Sequence, residues 1–256
     1  MILRPLERTQ SASTEFLPAW SVVERIQRQA NGSCWMITQP SHAALAGEFA
    51  AKLNGASIPK LDAGLIRSIA LHDAGWGVPD AQAIMQSRSV GQGRPKSFIE
   101  CNAIEFLAAW EKSIGIAAST DVAGGYIVSR HFTRLGEHGL EKYDANEQPA
   151  IKSFLKSEAA RQKQLVAKQN HSTEELERLT DVLQFCDLLS LYVCSGAPDN
   201  AEFPEFLGAK TRLTVRDENY KLEPTLIEPG STFNVAALRH PATKGESGKE
   251  IKVKIG

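Results

Sequence analysis

Four side chains in this sequence combine metal-binding chemistry with positions where the hydrophobic pattern points inward. They are His42 in "TQPSHAAL", the adjacent pair His72 and Asp73 in "ALHDAGWG", and Asp187 in "LQFCDLLSLYV". Projected at about 100° per residue, His72 falls near Leu61 and Leu65, and Asp73 falls toward Ile66 and Ile69. Asp187 projects between Leu176, Leu183 and Cys194. An ionised carboxylate among such neighbours carries a severe desolvation cost unless it is paired, hydrogen-bonded or bound to a cation. Taken singly, each residue has a plain reading: His42 as a packing or capping histidine, His72–Asp73 as a buried pair or helix cap, Asp187 as a partner of backbone or arginine. Taken together, two imidazoles and two carboxylates on separate helices make a ligand set for a divalent transition metal. The candidates are Mn, Fe, Co, Ni or Zn, as one ion or two. One shared cation neutralises both aspartates at once.

The elements that must position these residues read mostly as helices. Helical spacing begins at Ser41 in "SHAALAGEFAAKL" and returns over 61–75, 97–115, 119–136 and about 147–168. A last helix runs from Ser172 to Cys194, with Ser172 and Glu175 at capping-box spacing. The stretch 20–29, "WSVVERIQRQ", fits a strand or a helix, and "CWMIT" at 34–38 reads as a strand. After Gly208, "TRLTVRD", "YKLEPTLIE", "STFNVAAL" and "KEIKVKI" read as strands separated by turn residues. The expected fold is therefore mainly α, with a small antiparallel β-sheet formed by the C-terminal segment and open to the N-terminal strands. The corresponding division is a helical metal-binding domain at 38–207 and a β-rich flanking subdomain at 1–37 and 208–256. Residues 74–96, with four glycines and two prolines, read as a long loop able to cover His72 and Asp73.

The order H…HD…D on helices of a mainly α body resembles the HD superfamily of metal-dependent phosphohydrolases, over roughly residues 38–195. The stretches "TQPSHAALAG" and "ALHDAGW" also resemble a bacterial HD-like family defined only as a domain of unknown function. The resemblance implies an HD-domain helical bundle, with His42, His72, Asp73 and Asp187 as metal ligands. It implies chemistry on a phosphate ester or nucleotide through a metal-activated water, with Asp73 bridging metal and water. His131, in "VSRHFTRLGEHG", matches the extra helical histidine that in such enzymes binds a second metal or the substrate phosphate. Arg134 and Lys96 are the candidate cations for phosphoryl oxygens, because charged N–H groups suit phosphate. His138 ranks below His131, since Gly136 and Gly139 argue against regular helix there; His171 reads as part of a helix start and His240 as structural.

The totals restrict the remaining classes. With 256 residues, 42% apolar and 23% charged, the chain can bury a substantial core. A formal net charge of -1 offers no global attraction to extended nucleic acid or acidic membranes. No apolar run reaches the ~18 residues of a membrane helix. The N-terminal "MILRPLERTQ" lacks a signal-peptide pattern, and the four cysteines form no CxxC pair. A cytoplasmic protein acting on a small phosphorylated molecule is the expectation, with homo-oligomerisation open. Two alternatives remain: a di-iron oxygenase on the same helical scaffold, and a non-catalytic metal- or nucleotide-binding module.

Overall fold

A computed structural model describes residues 1–7, 14–88, 93–217, 219–243 and 246–255. Most of its α-helices begin where short polar side chains satisfy free backbone donors. Helix α1 (Ala19–Gln29) resolves the ambiguous 20–29 stretch, burying Val22, Val23 and Ile26 at helical spacing. Strand β3 (Cys34–Ile37) follows, and α2 (Gln39–Lys52) starts where the Thr38 hydroxyl accepts from the Ser41 amide. Asp62 caps α3 (Ala63–Ala70) through the Leu65 amide. The expected 61–75 helix therefore ends early, and His72 and Asp73 lie in the turn beyond it.

Residues 74–96 are not one long loop. A short 3₁₀ turn at Ala74–Trp76 leads into α4 (Gly77–Ser87). Pro79 lies in the first turn of α4, where a missing N–H costs no intrahelical bond, so the proline that looked like a breaker is compatible with helix. Residues 89–92 of that stretch lie outside the described residues. The next expected helix also changes its start. Ser97 and Glu100 close a capping box around a 3₁₀ turn, and Asn102 and Glu105 close a second one that begins α5 (Ala103–Thr120). Helices α6 (Val122–Gly139) and α7 (Gln148–Val166) come next. Helix α8 (Thr173–Ser195) is capped by Ser172 and ends at Gly196, in the left-handed region at φ 67°. The Glu175 carboxylate pairs with His171 at 3.0 Å.

The expectation of a small antiparallel sheet is overturned. Among the described residues, eight strands form one mixed sheet in the order β1-β3-β7-β8-β6-β5-β4-β2. The edges come from β1 (Ile2–Pro5) and β2 (Phe16–Pro18), and β4 (Asn200–Glu202) pairs parallel to β2. Strands β5 (Arg212–Arg216), β6 (Asn219–Glu223), β7 (Ser231–Thr243) and β8 (Glu246–Ile255) supply the rest, with β6 parallel to β8. The physical reason is length. Strands of three or four residues such as β2 and β4 carry too little alternation to be read, and a parallel partner leaves no local turn signal.

Helix and sheet share one hydrophobic core. Phe49 of α2 meets Phe233 of β7 edge-to-face at 4.8 Å between ring centres. The buried cluster runs from Leu176, Leu183 and Leu189 of α8 to Val235, Ile251 and Val253 of the sheet. Helix α8 packs against both α2 and α6, and α3 packs against the same two helices. Residues on α2, α6, α8 and the end of α3 are thereby directed to one interior point.

Candidate metal centre

The close approach of these elements depends on small residues. A Cβ on Gly47 would stand 2.5 Å from the Ala70 Cβ, so glycine lets α2 lie directly on the end of α3. A Cβ on Gly75 would stand 2.0 Å from the Ala109 carbonyl oxygen, and the Gly75 amide donates to Ser113 Oγ at 2.9 Å. The turn carrying His72 and Asp73 is therefore held tightly against α5.

His42, His72, Asp73, His131 and Asp187 meet in the interior. His42 and His72 are fully buried, His131 is 2% exposed and Asp73 is 7% exposed. Asp187 keeps 13% of its side chain exposed. Potential ligand atoms of His42, His72 and Asp73 lie within 4.8 Å of one another, as do those of His72, His131 and Asp187. The His42 and His72 rings stand edge-to-face at 5.2 Å between centres, and the His72 and His131 rings do so at 5.6 Å.

The hydrogen bonds fix which nitrogens face inward. His72 Nδ1 donates to the Ile69 carbonyl at 2.8 Å, since a carbonyl only accepts. Its Nε2 is then the atom that faces Asp187 Oδ1, at 3.2 Å. His42 directs Nδ1 to Ser190 Oγ and Nε2 to Asp73 Oδ2, each at 2.9 Å. His131 Nε2 lies 3.8 Å from Asp187 Oδ2, while its buried Nδ1 has no hydrogen-bond partner among the described residues.

A neutral His72 of this tautomer would present its Nε2 lone pair to the Asp187 carboxylate, so something positive must stand between them. A proton does so in the metal-free protein. Burial opposes charge on His72, but the Asp187 carboxylate and then Asp73 outweigh it, and the ring is raised to about 9. Burial likewise opposes the Asp187 charge, but the His72 hydrogen bond and charge prevail and hold that carboxyl at about 2. For His131 burial dominates; its pKa falls to about 4 and the ring is neutral at pH 7. This donor set, three imidazoles and two carboxylates, fits a divalent transition metal, and a carbonyl behind His72 sets its tautomer as in known metal sites.

Comparison with known sequences places the chain. Residues 25–230 match the family described as "Protein of unknown function (DUF3891)". The chain belongs to the DUF3891 family. No curated protein and no solved structure matches it. The matched span contains all five residues of the centre in this DUF3891 member.

The other candidates are placed elsewhere. Arg134 is committed to α8, where it bonds Glu177 Oε2 at 2.8 Å and Asp181 Oδ1 at 2.7 Å and also contacts Gln184. Lys96 is exposed and pairs with Glu105 at 3.5 Å. Arg94 forms a bidentate pair with Glu100, and Arg130 bonds Glu177. His138 donates to the Arg134 carbonyl at the surface, and His171 pairs with Glu175. His240 lies on β7 opposite Cys34. One contributor escaped sequence reasoning: Ser190, fully buried, which holds His42. Its signal was its place three residues after Asp187, on the same face of α8.

Proposed function

We propose that the centre holds one divalent transition-metal ion and that the chain is an HD-type metal-dependent hydrolase of phosphate esters or nucleotides. The observation that carries this reading is the pairing of His42 Nε2 with Asp73 and of His72 Nε2 with Asp187, at 2.9 and 3.2 Å. These buried carboxylates face imidazoles, which are metal ligands when neutral, rather than arginine or lysine. The two potential ligand groups share His72. Because its Nδ1 is committed to Ile69, that ring offers one lone pair, which favours one ion over the two that a di-iron oxygenase requires.

Bound there, the ion supplies Lewis acidity, lowering the pKa of a water and polarising a phosphoryl oxygen. The chain's own residues divide the remaining tasks. His42, His72, Asp73 and Asp187 hold the ion. Asp73 and Asp187 form the accessible edge of the cluster, with 9% and 13% of their side chains exposed, so substrate meets the centre along that edge. Asp73 takes up the proton of the attacking water. His131, neutral and with Nε2 beside Asp187, offers a hydrogen bond to a phosphoryl oxygen. The phosphate roles expected for Arg134 and Lys96 are not retained, because Arg134 is engaged with Glu177 and Asp181 and Lys96 with Glu105.

The test is hydrolysis of a panel of phosphomonoesters, phosphodiesters and nucleotides by protein loaded in turn with Mn, Fe, Co, Ni and Zn. Activity abolished by His72→Ala and by Asp187→Ala is expected. A folded, metal-loaded protein inactive on the whole panel refutes the hydrolase reading.

A further inference from the structure

Ser190 stands in a buried chain of hydrogen bonds that ends at His42. Its hydroxyl donates to the Asp187 carbonyl at 2.8 Å, one turn back on α8. A serine back-bond of this kind is ordinary in helices. The second contact is not, because Ser190 Oγ also lies 2.9 Å from His42 Nδ1, across 148 residues of sequence. A hydroxyl has one proton to give. Since the Asp187 carbonyl only accepts, that proton is spent, and Oγ must accept from His42. His42 therefore carries a proton on Nδ1, and Nε2 is the atom that faces Asp73.

We infer that Ser190 is a positioning residue that sets the His42 tautomer and holds its Nε2 ready for a metal ion. The inference rests on the metal-centre reading above. It has a consequence beyond packing: α8 supplies one ligand through the Asp187 carboxylate and orients a second through the Asp187 carbonyl and Ser190. His42 and His72 then use one device in two forms, with Nδ1 anchored to a hydroxyl in the first and to a carbonyl in the second. The alternative acceptor for His42 Nδ1, Asp187 Oδ1, is 3.8 Å away and beyond hydrogen-bond reach. Removing the hydroxyl leaves Nδ1–H buried without an acceptor and frees the ring to take the other tautomer, whose Nε2–H cannot bind metal.

The experiment compares wild type, Ser190→Ala and Thr180→Ala. Thr180 is a matched control, because its buried hydroxyl also bonds back along α8, to Leu176. Long-range ¹H–¹⁵N spectra of the metal-free protein report which His42 nitrogen bears the proton. Zn²⁺ titration reports affinity. Wild type is expected to show a protected Nδ1 proton on His42. Ser190→Ala is expected to lose that protection and to bind Zn²⁺ about 10- to 100-fold more weakly, while Thr180→Ala keeps both properties. Zn²⁺ affinity in Ser190→Ala within threefold of wild type overturns the inference, as does a wild-type His42 with no proton on Nδ1. If wild type binds no Zn²⁺ or other transition metal, the metal-centre reading fails, and the spectra alone still decide whether Ser190 sets the tautomer.

Discussion

The metal-free protein is expected to be most stable near pH 6.5 and to weaken in both directions, which follows from two histidines shifted in opposite senses. His72 is raised from 6.5 to about 9 by its carboxylate partners despite burial. Its folded state binds a proton more tightly than its unfolded state, so the stabilisation is complete below pH 6.5 and is lost as pH rises toward 9. Integrated between pH 6.5 and 8.5, with the unfolded ring half protonated at the start, the loss is about 2.2 kcal/mol. For a chain of this length that corresponds to a fall in Tm of roughly 4–9 °C. Stopping at pH 8.5 largely avoids the buried thiols of Cys186 and Cys194, whose ordinary value is 9.0. On the acid side, burial holds His131 down at about 4, so stability is lost as pH falls from 6.5 through 4. The assay is urea or thermal unfolding of chelator-treated protein across pH 4 to 8.5, with Asp187→Asn beside it. Asp187→Asn should remove the alkaline decline, and a saturating transition metal should remove it in wild type. An equal stability at pH 6.5 and 8.5 in metal-free wild type refutes the reasoning.

Other outcomes follow from the same geometry. Metal affinity should rise about tenfold per pH unit from 6 to 8.5, because the ion displaces the His72 proton; calorimetry in buffers of different ionisation enthalpy should show at least about one proton released per ion at pH 7. Gly75→Ala should cost about 1–3 kcal/mol by overpacking against the Ala109 carbonyl and weaken metal binding, read by unfolding and by Zn²⁺ titration. Arg134→Gln should lower stability by leaving Glu177 and Asp181 unpaired on α8, yet leave Zn²⁺ affinity within threefold of wild type. Ser172→Ala should cost about 1 kcal/mol through loss of the α8 cap, measured by urea unfolding.

The centre was more legible in the sequence than the architecture around it. His42 and Asp187 were visible because each interrupts a regular apolar helix face, and periodicity exposes such a polar intruder directly. His72 and Asp73 were found by extending the α3 periodicity past Ala70. The residues turn inward as expected, but through a turn fixed by Gly75, whose tight contact is with α5 and is invisible in local pattern. The stretch after them misled because glycine and proline mark loops and also tolerate helix first turns, as Gly77 and Pro79 do in α4. Arg134 takes its partners for a tertiary reason. Glu177 and Asp181 are spaced by four on α8 and together capture the guanidinium, a contact between helices that no local signal carries. The sheet exceeds the expected one because β1, β2 and β4 are three or four residues long, and β1 and β2 take partners far away in sequence.

The most direct test of the metal centre is an anomalous difference map from crystals of protein stripped with chelator and reloaded with Mn, Fe, Co, Ni or Zn. The account predicts one peak per chain, within ligand distance of His42, His72, Asp73 and Asp187. A map with no peak among these residues for any of the five metals, at full occupancy of the soak, would contradict it.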